Sequence, residues 1–208
     1  MPSADIAQWA RREAATDFDA AVALFDWTVR NIQLDAPERA VMIQHPWQAL
    51  AYGHGTAAHR AWAFVELCRQ QQIDAMIIQP KAVDGKPAPL LVGVMLPDSD
   101  DIYLFDPEIG LPLPGEKKSV GALAELVEHP ELLRQFDLQD LPYALNGEQL
   151  AEVEALLVAS PLELSQRGQR LEAVLQGEEA KRGGQFAGFL VGFIYILRGR
   201  LCGNRLFS

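Results

Sequence analysis

His54, Thr56 and His59, in the stretch GHGTAAHRAWAF, set two imidazoles and a hydroxyl at the mouth of an apolar run. A hydroxyl within reach of an imidazole can attack an acyl carbon while the ring takes its proton. The same junction, a glycine turn opening a helix, suits a thiolate better still, because free helix-end amides and the macrodipole favour an anion there. The residue after Gly55 and Thr56 is Ala57, however, and the nearest thiol is Cys68. Eleven residues return Cys68 to the helix face of Ala57, but at about 1.5 Å per residue the two lie roughly 16 Å apart along the axis. Among Phe64, Val65 and Leu67, Cys68 reads as a buried, inert thiol.

His45, His54 and His59 span fifteen residues without HxH or HxxxH spacing and with few carboxylates nearby, so no metal site is expected. Cys68 and Cys202 lie far apart and form no CxxC, which leaves neither a disulfide framework nor a zinc site. Trp27 and Trp62 fall in helical runs and read as core, whereas Trp47, beside Pro46 in a loop, is the aromatic placed to line a pocket. No GxGxxG or P-loop is present, and no cofactor is implied.

These groups need elements to hold them. Thr56 is an N-cap for a helix running to about Gln71, with Ala61, Phe64, Val65 and Cys68 on one face. DAMIIQP, PLLVGVML and DIYLFD read as strands, the order predicting an antiparallel sheet packed on that helix, an α+β class. Upstream, Ile6, Trp9, Phe18, Val22, Phe25 and Val29 predict helix over 4–30, and QHPWQALAYGHG reads as loop. Downstream, a helix is expected from near Ser119. Leu150, Val153, Leu156 and Leu157 then form a helical stripe, continued by Leu164, Leu171 and Leu175 after Pro161.

The chain divides by pattern into an N-terminal helical segment, 1–48; a core, 49–115; a helical extension, 116–182; and an apolar tail, 183–208, frayed or interfacial. Its 208 residues, 49% hydrophobic, have room for one sizeable core, and a formal charge of −10 with no basic run excludes a nucleic-acid footprint. The chain opens without the apolar core of a signal peptide. Phe186 to Leu197 gives twelve apolar or glycine residues where a spanning helix needs roughly 20, so a hairpin or interfacial segment is the reading, with membrane contact the lesser one.

GTAAHRAWAFVELCRQQQIDAMII and, later, DIYLFDPEIG resemble the core of the transglutaminase-like, papain-related superfamily over about residues 50–115. In that family a Gly-x-Cys turn opens the core helix, a histidine lies on the second strand and an Asp-Pro on the third. Gly55, Ala61, Arg69, Asp106 and Pro107 match. The cysteine position falls on Ala57 and the histidine position near Pro89 to Leu91, so the resemblance implies a degenerate triad of which Asp106 remains. Bacterial, planctomycete-type proteins are similar over roughly residues 20–175, which implies either a fragment of a longer exported protein or a short member. The expectation is a non-catalytic module with a protein or peptide partner and a candidate cleft of Trp47, His54, Thr56, His59 and Asp106. The alternative is a hydrolase or acyltransferase using Thr56 with His54 or His59. A third reading tethers the domain to a membrane through Phe186 to Leu197.

Overall fold

The computed structural model describes residues 2–11, 14–36, 43, 45–83, 88–97, 99, 101–116, 119–139, 141–159, 188–191 and 194–200, with 157–159 and the last two stretches described by backbone alone. Two helices open the chain, α1 (Pro2–Arg11) and α2 (Asp17–Asn31). Thr16 caps α2 by accepting the Asp19 N–H at 3.0 Å. A short parallel pair, β1 (Gln33–Leu34) and β2 (His54–Gly55), brackets α3 (Pro46–Tyr52). The core helix α4 (Ala57–Gln70) follows, and then the strands β3 (Asp74–Pro80), β4 (Leu91–Met95) and β5 (Ile102–Asp106). The rest comprises β6 (Leu111–Pro112), α5 (Leu123–Glu128), a 3-10 helix (Pro130–Phe136), α6 (Gly147–Leu150), β7 (Val153–Ala159), β8 (Gly188–Val191) and β9 (Ile194–Arg200).

Apart from the β1–β2 pair, the described strands form one antiparallel sheet in the order β6-β5-β4-β3-β7-β9-β8. Its period-2 alternation separates two cores. Ile77, Val92, Val94, Phe105 and Leu156 face α1, α2 and α4, while Met76, Ile78, Leu91, Ile102, Leu104 and Ala155 face α5, the 3-10 helix and α6. Phe25, Phe64 and Phe105 lock α2, α4 and β5 together, their ring centroids 5.0–5.4 Å apart. Gly93 lets β4 and β5 close up, since a Cβ there would come within 2.6 Å of Ile102. The α+β class, with a core helix on an antiparallel sheet and helices flanking the core, is what the structure has.

Two expectations are corrected. QHPWQALAYGHG is not loop throughout, because Pro46 to Tyr52 is helix α3. Pro46 takes the first helical position, where no N–H is needed, and Gly53 closes the helix at φ 69 in the left-handed conformation. Val153, Leu156 and Leu157 are on a strand instead of a helical stripe. β7 adds to the open side of β3 with Ile77 opposite Leu156, and Val153 and Ala155 share the core face away from Leu156. Leu164, Leu171 and Leu175 lie outside the described residues. In the tail, β8 and β9 pair as an antiparallel hairpin added to β7. Among the described residues no helix is long and apolar enough to cross a membrane.

Candidate functional site

Thr56 holds extended backbone geometry ahead of α4, and its Oγ1 accepts the His59 N–H at 3.3 Å. The His59 ring answers from the third helical position, its Nδ1 accepting the Thr56 N–H at 3.1 Å. This reciprocal pair is a capping box with imidazole in place of the usual carboxylate or amide. Because Nδ1 accepts a backbone proton, the neutral ring carries its own proton on Nε2. Burial lowers the His59 pKa, opposed by the Ile43 hydrogen bond and by the charge of Asp35. Gly55 is required here, since a Cβ would stand 2.9 Å from the His59 Cβ. Ala57 is the first residue of α4.

The β1–β2 pair brings a second histidine to the same end of α4. Asp35 donates its N–H to the Gly55 carbonyl at 2.8 Å, which sets its carboxylate 3.0 Å from His54 Nδ1. Tyr52 stacks on His54 at 6.0 Å and Trp47 on His45 at 6.3 Å. Both aromatics stand out in solvent, 54% and 55% exposed.

Asp106 belongs to a different, buried centre. It ends β5 with no exposed surface. Phe105 faces α4, so alternation turns Asp106 to the other face with Leu104, where Tyr143 donates its O–H to Oδ2 at 2.6 Å. Oδ1 accepts the N–H groups of Glu108 and Ile109 at 2.7 and 3.1 Å, capping the turn after Pro107. Burial and then the Asp106 charge raise the Tyr143 pKa above the ordinary phenol value, keeping the hydroxyl a donor.

Arg60 joins the two centres. It lies one turn into α4, 6% exposed, and donates through Nε and Nη2 to the Ile32 carbonyl at 3.1 and 2.6 Å. Its Nη1 reaches the Pro107 carbonyl at 2.7 Å. Burial lowers the Arg60 pKa, and the nearby Asp106 charge opposes that. The turn from Asp106 to Gly110 is therefore held from both sides. Gly110 closes it at φ 81, where a Cβ would meet the Val29 Cγ1 at 2.8 Å.

Of the residues expected to share a cleft, His54, Thr56 and His59 have hydrogen-bond partners different from those of Asp106. His54, Thr56 and His59 gather at the start of α4 with Asp35. His54 and His59 do not bond Asp106, whose acceptors are filled by two amides and a phenol. Of the segment expected to hold the histidine, Leu90 packs toward α4, and Leu91, one step beyond the Val92–Phe105 pair and so opposite Asp106, is fully buried. Cys68 is buried, and burial pushes its thiol pKa up. Among the described residues no group of His, Cys, Asp or Glu is placed to hold a metal ion. Sequence reasoning missed Asp35, Arg60 and Tyr143. Arg60 could have been found as a charge on the buried stripe with Phe64 and Leu67, whereas Tyr143 carries no local signal.

A helix opening at Ala57 is thus packed on antiparallel strands, of which β5 ends at Asp106 just before Pro107. Residues 4–86 match the family model of the transglutaminase-like superfamily. Among solved structures, the chain is similar to a candidate cysteine protease from Cytophaga hutchinsonii, with 16% identity, a TM-score of 0.45 and coverage of 54% of this chain and 38% of that one. It is also similar to a candidate protease from Parabacteroides distasonis, with 12% identity, a TM-score of 0.37 and coverage of 51% and 26%. The chain spans well under half the length of either protein. No curated protein matches it.

Proposed function

We propose that this chain is a non-catalytic transglutaminase-like module that binds or scaffolds a protein or peptide partner. The observation that carries the reading is the state of Asp106, which is buried with both oxygens engaged by the Glu108 and Ile109 amides and the Tyr143 hydroxyl. A triad carboxylate orients an imidazole, and here the segment opposite is Leu90–Leu91. The nucleophile position, Ala57, has only a methyl group, which cannot attack a carbonyl.

One contact favours a second reading, a hydrolase or acyltransferase with Thr56 as nucleophile, since Thr56 Oγ1 lies 3.0 Å from His59 Nδ1. The same Nδ1 accepts the Thr56 N–H, so a base here would have to break the cap that positions it. The distinguishing experiment assays purified protein against glutaminyl peptides, peptide amides and activated esters, with T56A and H59A alongside. The expected result is no turnover above the two variants. Turnover abolished by either substitution would reject the non-catalytic reading and establish the threonine one.

A further inference from the structure

The chain between the 3-10 helix and α6 is built more firmly than a surface loop needs to be, and it displays apolar side chains. Leu138 and Leu141 exchange both backbone hydrogen bonds at 3.1 Å, which makes them a directly opposed antiparallel pair with side chains on one face. They are 69% and 68% exposed. Beneath them Asp137 Oδ1 accepts the Tyr143 N–H at 2.8 Å, and Arg134 donates to the Tyr143 and Leu145 carbonyls. The Tyr143 ring meets Phe136 edge-on at 5.4 Å, and its hydroxyl is fixed on Asp106. A hairpin held at its root in this way loses little further freedom on binding, the condition under which exposed apolar groups give affinity.

The flank is acidic. Glu131 and Glu148 are exposed on the helices either side of the hairpin, Glu128 is exposed at the end of α5, and Asp137 stands at the hairpin's base. Among the described residues Arg134 pairs with Asp137 and His129 with Glu131. We propose that the Leu138–Leu141 hairpin is a docking knob for a basic amphipathic helix of a partner protein, its apolar stripe seated on the two leucines and its Lys or Arg residues on the acidic flank. An apolar pair supplies the contact and the charge supplies orientation and rate. The surface lies outside the cleft, so its test does not depend on whether the cleft turns over a substrate.

The probe is a synthetic Leu/Lys amphipathic helical peptide, with a control in which its leucines are replaced by serine and its charge is kept. Binding is followed by methyl NMR and titration calorimetry on the full chain and on L138S/L141S. The expected result is that the Leu138 and Leu141 methyl signals shift, that the double variant weakens binding at least about tenfold with an unchanged thermal midpoint, and that the control peptide does not bind. Equal affinity for the double variant, or binding of the control peptide, would show general attraction to an acidic surface and overturn the proposal. A midpoint lowered by several degrees would overturn it by showing the leucines covered within the chain, and a leucine-dependent dimer in sedimentation would overturn it in favour of a second copy.

Discussion

Replacing Tyr143 by Phe removes one oxygen from the buried centre and leaves the ring on Phe136. Asp106 Oδ2 then loses a 2.6 Å donor in a site with no exposed surface, while Oδ1 keeps its two amides. A hydrogen bond to a charged acceptor contributes about 1.5–3 kcal/mol, and the orphaned oxygen cannot recover that from solvent. For a chain of this size each kcal/mol moves the thermal midpoint by about 2–4 °C, so Y143F is expected to melt about 3–12 °C lower. The assay is urea and thermal unfolding of wild type, Y143F, D106N and the double variant. In D106N the phenol faces an amide that can donate to it, so the cycle is expected to show a coupling of at least about 1 kcal/mol. A loss below about 0.5 kcal/mol in Y143F, or additive single losses, would refute the clamp.

The raised Tyr143 pKa adds a pH test. The fold keeps the hydroxyl protonated where the unfolded chain ionises near 10, so this stability is complete below that pH and falls as pH rises above it, a slope that Y143F loses in urea titrations. His59 has the opposite sense. Its folded pKa is lowered, so its contribution is complete above about pH 6.5 and falls on acidification, and H59Q, which keeps an acceptor in the capping box, is expected to flatten that limb. In a C202S background a bulky thiol reagent is expected to leave native Cys68 unmodified and to label it on unfolding. Rapid native labelling would place α4 in the wrong register. Ala57→Cys is expected to alkylate readily in the same test yet to give no amidase turnover, because no imidazole stands ready to protonate the leaving amine. Turnover from that single change would mean that His54 or His59 can leave its present partner.

The parts of this fold that could be read in the sequence are those whose determinants are local. Thr56 caps α4 through a group three residues away, and the strands β3 to β5 alternate between two apolar faces. Helix α3 was hidden because Pro46 and Gly53 mark a loop or the two ends of a helix equally well. β7 was hidden because VEALLVA is too short for its period to decide, and what decides is the open edge of β3, more than seventy residues earlier. The site divides in the same way. His54, Thr56 and His59 were visible as neighbours, whereas Asp35 reaches His54 through a two-residue parallel pair, and Tyr143 reaches Asp106 across 37 residues.

That long reach bears on why the carboxylate stands in this centre at all. Pro107 has no N–H, so the first amides after Asp106 that need an acceptor are those of Glu108 and Ile109, and Oδ1 serves both. The second oxygen, buried, also requires a donor. An imidazole in that place accepts a proton during a reaction and returns it, whereas a phenol whose pKa is pushed up by burial and by the carboxylate itself holds its proton. The phenol as donor leaves the turn, the Arg60 bridge and the packing of β5 satisfied, which accords with the non-catalytic reading proposed above. It also ties to the sheet a segment, 137–143, that carries Leu138 and Leu141 into solvent. On the non-catalytic reading proposed above, the polar centre also anchors the root of the proposed knob, and loosening it through Y143F is expected to reduce the affinity of that knob for the basic helix.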